Sequence, residues 1–157
     1  MRPVISLKKI LVPTDFSESA RHALVYGCSF AKEYRAEVVL LHVVEDIAVS
    51  YASDLFPVPM AHVFQELSGY AKTELQKLVE EAKGKGLSAR ELLAQGRPSS
   101  EILRIAKEES VDLIVLGTHG KGVFDQALFG STTERVVRNA PCPVLTVRSS
   151  EHEFVKE

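Results

Sequence analysis

Asp15, Gly117, Gly120, Gly130, Ser131, Thr132 and Thr133 are the residues whose types and placement suit the binding of an anion. Leu113-Ile114-Val115-Leu116 is too short for a helix and rich in β-formers, so it reads as a parallel strand buried on both faces. The run stops at Gly117, a loop carrying Gly120 and Gly122 follows, and Gly130 closes it. Ser131-Thr132-Thr133-Glu134 has the form of a capping box that starts a helix, and Asn139-Ala140-Pro141 ends that helix. A helix N-terminus presents unpaired N–H groups and a partial positive charge, and glycines let the backbone approach a phosphate. The hydroxyls of Ser131, Thr132 and Thr133 add donors at the same place. Plainer readings share these residues. Ser131 with Glu134 is also an ordinary cap, Gly117 and Gly120 suit tight turns, and Asp15 suits a turn or a cap.

The elements that position these residues alternate along the chain. Lys9-Ile10-Leu11-Val12-Pro13 reads as a first strand, and Ser17 is placed to cap a helix with Ala20, Ala23, Leu24, Gly27, Phe30, Ala31 and Tyr34 on its apolar face. Gly27 inside that helix costs about 1 kcal/mol against Ala, which points to close packing on the sheet. Glu37 to Val44 is the strongest strand signal. Residues 45–60 form a long connection with Pro57 and Pro59, open to a lid, a partner surface or a merely variable loop. An amphipathic helix from about Ala61 to Lys83 stops at Gly84-Lys85-Gly86. Ala89 to Ala94 is a weaker strand, and Gly96-Arg97-Pro98 turns the chain into a short helix capped by Ser99 or Ser100. The strand at Leu113 and a last one at Val144 to Arg148 complete the series. Strands alternating with helices imply an α/β fold, a parallel sheet with helices on both faces, whose ligands sit beyond the carboxyl ends of the strands.

Composition bounds the remaining classes. At 157 residues one domain is expected, able to bury about 68–70% of its unfolded surface. A net charge of −2 offers no basic field for nucleic acid. The opening MRPVISLKK lacks the apolar core of a signal peptide, and no apolar run approaches a membrane span, so a cytoplasmic setting is expected. Cys28 and Cys142 have neither metal nor CxxC spacing and read as packing residues in a reducing compartment. His22, His42 and His62 each read as packing or surface residues, not metal ligands.

The spacing Gly117-x2-Gly120-x9-Gly130-Ser131 resembles the nucleotide-binding signature of the universal stress protein family, in its ATP-binding branch. It is not a P-loop, since no Gly-Lys-Ser/Thr follows the glycines. Nor is it a Rossmann fingerprint, since Asp125 stands where the third glycine belongs. KILVPTDFS, LLHVVE, GRPSSEI and PCPVLTVR extend the resemblance from about Lys8 to Arg148, within a single domain spanning 1–157. The resemblance implies a doubly wound five-stranded parallel sheet of order 3-2-1-4-5, which sets Asp15 against the glycine loop across one crevice. It implies that Asp15 binds the ribose hydroxyls, that Pro13 and Thr14 line the adenine side, and that Val43 reads the adenine edge through its backbone. Gly117, Thr118 and Gly120 wrap the ribose and first phosphates, with Leu116 and His119 in the same stretch. Gly130, Ser131, Thr132 and Thr133 hold the outer phosphates. Mg²⁺ or Mn²⁺ is then held mainly by phosphate oxygens, because the sequence shows no protein cage for it.

The function so implied is an ATP-binding switch of the stress response, with at most slow hydrolysis and an unidentified signalling partner. The alternatives are a scaffold that binds no nucleotide and an adenine-nucleotide enzyme of related fold. ATP pyrophosphatases and nucleotidyl transferases need Ser-Gly-Gly-x-Asp-Ser or His-x-Gly-His near strand one, where this chain has Pro13-Thr14-Asp15-Phe16. The resemblance also implies a homodimer through Val144 to Arg148, an edge strand with little charge before Arg148.

Overall fold

The computed structural model describes residues 4–46, 54–55, 59–118 and 129–148. Five strands are present: β1 (Lys9–Pro13), β2 (Glu37–Val44), β3 (Ser88–Gln95), β4 (Leu113–Gly117) and β5 (Val144–Val147). Among the described residues four helices surround them: α1 (Glu18–Tyr34), α2 (Met60–Gly84), α3 (Pro98–Glu108) and α4 (Ser131–Asn139). Every strand pair is parallel, and the order is β3-β2-β1-β4-β5, as the resemblance implied.

The centre of the sheet is apolar on both faces because β1, β2 and β4 carry aliphatics at successive positions, which alternate between the faces. Ile10, Val12, Val38, Leu40 and Val115 join α1 and α2 in one core layer. Leu11, Val39, Leu41, Ile114 and Leu116 join α3 and α4 in the other. Ser17 caps α1 as expected, its Oγ accepting the Ala20 N–H at 3.2 Å. Gly27 lets α1 lie on the sheet, since a Cβ there would come within 2.7 Å of Val12 Cγ2. Cys28 and Cys142 are free, and burial pushes both thiols up, so they stay protonated and serve packing.

Two caps differ from the sequence reading. Helix α3 is preceded by Arg97 in extended conformation with Pro98 at its first position, so neither Ser99 nor Ser100 is the cap. The fixed φ of proline suits that first position and starts the helix two or three residues early. Helix α4 has Gly130 as its N-cap, with Ser131 one residue inside, and no side chain caps it among the described residues. Glu134 pairs with Arg138 at 2.8 Å, so the capping box does not form. The reading of residues 45–60 falls largely outside the described residues.

The amino ends of the strands are tied by charge. Asp112 Oδ2 accepts the N–H groups of Lys8 and Lys9 at 2.7 and 3.0 Å, joining β1 to the start of β4. Glu109, just past α3, receives Lys9 Nζ at 2.9 Å and the Arg90 guanidinium, which also reaches Glu37 at 3.2 Å. Hydrogen bonds from Lys9, then Arg90, hold the Glu109 carboxyl below its ordinary value of 4.5. A lowered folded pKa stabilises the protein above that value, and the contribution is lost as pH falls through the folded pKa. The Glu109→Gln variant should therefore melt below wild type near pH 7, with the gap closing as pH drops below about 4.5. A gap that stays constant from neutral to acid pH in thermal melts would remove Glu109 from this role.

Candidate functional site

Strands β1 and β4 pair only at Ile10↔Leu113 and Leu11↔Ile114. Beyond those rungs the two strands part, and a cleft of about 490 Å³ opens between their carboxyl ends. That volume is within the range of about 300–1,000 Å³ typical of small-molecule sites. The position is the point where strand order reverses, since β1 continues to β2 on one side and β4 to β5 on the other.

One wall is the end of β1 against β2. The Thr14 N–H bonds Leu41 O at 2.8 Å, its Oγ1 accepts the Phe16 N–H at 3.0 Å, and its carbonyl lies 2.8 Å from His42 Nδ1. Asp15 Oδ1 accepts the Ser17 N–H at 3.0 Å, so this carboxylate shapes the turn into α1 and also lines the cleft. Phe16 has φ of 64°, a left-handed conformation that costs a side-chain-bearing residue on the order of 1–2 kcal/mol. That turn lays its ring on His42, with centroids 4.6 Å apart. Tyr70 of α2 meets Phe16 edge-on at 6.3 Å. Alternation along β2 turns the backbone of Leu41 and Val43 toward β1, as the Thr14–Leu41 bond shows. The β1–β2 ladder ends at Pro13↔Leu41, so Val43 presents its backbone edge past the last rung.

The opposite wall is the end of β4 with the first turn of α4. Gly130 N–H bonds Thr118 O at 2.8 Å, and Thr118 N–H bonds Val147 O at 3.1 Å. Thr118 thus ties Gly130 to the end of β5; it is 1% exposed and stands outside the cleft lining. Thr133 Oγ1 donates to Gly117 O at 3.0 Å, which fastens α4 to β4 and commits that hydroxyl's proton. The first helical bond of α4 runs from Glu134 N–H to Gly130 O at 3.0 Å. The N–H groups of Ser131, Thr132 and Thr133 therefore have no acceptor within their helix, and all three residues line the cleft. The described lining holds Asp15 and Glu45 but neither lysine nor arginine.

The family model described as the universal stress protein family matches residues 6–148. The universal stress protein MJ0577 of Methanocaldococcus jannaschii is 35% identical over 157 residues, covering 92% of this chain and 96% of that protein. The chain belongs to the universal stress protein family. The solved structure of MJ0577 superposes with a TM-score of 0.83 at 33% identity, over 94% of this chain and 100% of the other. Two further solved members share the fold. One is a universal stress protein in complex with cAMP, with a TM-score of 0.66 at 23% identity over 93% of this chain and 100% of that one. The other, from Archaeoglobus fulgidus, is in complex with dAMP, with a TM-score of 0.64 at 20% identity over 91% and 98%.

In this universal stress protein the fold brings Pro13, Thr14, Asp15, Val43, Leu116, Gly117, Gly130, Ser131, Thr132 and Thr133 around one cleft. His119, Gly120 and Lys121 lie outside the described residues. Sequence reading missed Phe16, His42 and Tyr70, which form an aromatic wall. Their signal was position, since Phe16 and His42 sit at the carboxyl ends of β1 and β2. His62 is a surface residue, 3.2 Å from Glu66 one helical turn on.

The two described glycines of the site serve different needs. A Cβ on Gly117 would come within 2.9 Å of the Ser19 carbonyl in α1. Gly130 has φ of −68° and ψ of 157°, which any residue adopts. The Gly117→Ala variant should lose about 1–3 kcal/mol of stability by overpacking. The Gly130→Ser variant, gaining a true cap, should be neutral or a few tenths of a kcal/mol more stable. Chemical denaturation that ranks them the other way would contradict this assignment.

Proposed function

We propose that this cleft binds ATP together with Mg²⁺ or Mn²⁺, and that the protein is a nucleotide-dependent regulatory switch of the stress response. The observation that carries the reading is the pairing of two unused backbone edges across one cleft, Val43 on one wall and the first turn of α4 on the other. The N–H and C=O of Val43 suit the acceptor and donor of an adenine edge. The N–H groups of Ser131, Thr132 and Thr133, with the hydroxyls of Ser131 and Thr132, suit outer phosphates. Asp15, which lines the same cleft, suits the ribose diol, and Pro13, Thr14, Leu116, Gly117 and Gly130 supply the surrounding surface. Thr118 contributes by holding Gly130, whose N–H its carbonyl accepts. A triphosphate meets Asp15 and Glu45 without a lysine or arginine in the described lining, which favours its arrival as a metal complex. No group of three metal-ligating side chains occurs among the described residues, so phosphate oxygens would supply most of the coordination.

Hydrolysis is at most slow in this reading, because the first turn of α4 offers hydroxyls and amides and its one acid, Glu134, is paired with Arg138. A long-lived bound state is what a switch requires. Two solved proteins of the same fold are in complex with adenine nucleotides, cAMP and dAMP. Cytoplasmic residence belongs to the same proposal. No helix of the described residues is long and apolar enough to cross a membrane.

ATP should bind more tightly than GTP, because guanine presents the reverse polarity to Val43 and leaves groups unpaired at about 1–3 kcal/mol each. Calorimetric titration with equal affinities would refute the base assignment. Gly130→Val should keep the fold, since its φ and ψ suit valine, yet lose more than tenfold in ATP affinity, about 1.4 kcal/mol or more. A mutant that retains the full rise in melting temperature with Mg-ATP would move the phosphates elsewhere. A homodimer is also proposed, because β5 is the sheet edge and nothing pairs its outer side among the described residues. Light scattering at micromolar protein should give twice the 17.3 kDa chain mass; the single-chain mass would exclude the dimer.

A further inference from the structure

Parallel ladders follow a fixed alternation, and the β1–β2 ladder here breaks at a definite atom. Leu41 O accepts the Thr14 N–H at 2.8 Å. The next bond of a regular ladder would run from the Val43 N–H to the Thr14 carbonyl. That rung is not made, for the register stops at Pro13↔Leu41. The Thr14 carbonyl instead lies 2.8 Å from His42 Nδ1. A carbonyl only accepts, so Nδ1 carries the proton and donates. The ring cannot easily turn away, because Phe16 is stacked on it with planes 26° apart. Phe16 is itself fixed by its N–H bond to Thr14 Oγ1 and by Tyr70 beside it.

We propose that His42 is a positioning residue, whose Nδ1–H captures the Thr14 carbonyl, ends the ladder one rung early and keeps the Val43 N–H turned to the cleft for a purine base. The purine half of this inference rests on the proposed function; the ladder half does not. His42 contributes no contact to the base in this account. Its effect is to keep a neighbour's backbone from being consumed by the sheet.

The test uses His42→Leu, which removes the donor, and His42→Asn, whose amide nitrogen is attached to Cγ as Nδ1 is. Residue-resolved amide exchange is measured by NMR on nucleotide-free full-length protein, and ATP and inorganic triphosphate are titrated separately. In His42→Leu the Val43 amide should exchange at least tenfold more slowly than in wild type, as the freed carbonyl takes it. ATP affinity should fall at least tenfold while triphosphate affinity stays within about twofold. His42→Asn should restore both readouts to within about threefold of wild type. Should the leucine variant fail to fold, His42→Gln, with its amide one bond too far out, should give the same slowed exchange. Val43 exchange that is equal in wild type, leucine or glutamine, and asparagine variants overturns the inference. So does an asparagine variant that matches the leucine one. If wild type binds no ATP, the proposed function fails by itself, and the exchange comparison still decides whether His42 holds the ladder open.

Discussion

Between β1 and β4 the ladder has only two rungs, Ile10↔Leu113 and Leu11↔Ile114, although both strands continue beyond them. Everything at the site follows from that short pairing. At the amino end Asp112 staples the strands by taking the N–H groups of Lys8 and Lys9, and its own N–H reaches Lys9 O at 2.9 Å. At the carboxyl end no such bond joins β1 to β4 among the described residues. Past those rungs β1 continues to pair with β2 and β4 with β5, each on its outer side. The sheet, covered on both faces, carries the crevice between its strand ends.

Opening a sheet this way leaves backbone groups without ladder partners, a cost that folded proteins seldom accept. The molecule limits that cost. Thr14 has its N–H, hydroxyl and carbonyl each engaged, Thr133 ties α4 to Gly117, and Thr118 ties Gly130 to the end of β5. Among the described groups of the cleft, Val43 lies past the last β1–β2 rung and the first turn of α4 has N–H groups with no acceptor in the helix. Such a distribution is consistent with a cleft whose remaining polar groups are satisfied by water or by a ligand that matches them. Gly130 fits the same logic. Its conformation needs no glycine, so its value to the molecule is the absence of a side chain that would cap α4 or fill the cleft.

Much of this was legible before any coordinates. Doubly buried strands announce themselves as short aliphatic runs, and the alternation of β and α elements carries the layer architecture. Family resemblance supplied the strand order. What could not be read was local competition for hydrogen bonds. Ser131 looked like a cap because its type and the Glu134 spacing suit one, yet the helix begins one residue earlier and Glu134 goes to Arg138. Thr118 looked like a ligand contact but is spent inside the fold. His42 looked like a packing residue because nothing in its sequence neighbours reports that Thr14, 28 positions away, offers it a carbonyl. Gly117 was read for its backbone freedom, whereas its missing Cβ makes room for Ser19 of α1.

The central claim is that one small molecule touches both walls of the cleft at once. Backbone amide NMR during titration with Mg-ATP tests it most directly. The account predicts concerted shifts at Val43, at Asp15 and at Ser131 to Thr133, saturating with a single affinity, and little change along the outer edge of β3. Shifts confined to one wall, or a response centred anywhere else on the fold, would contradict it.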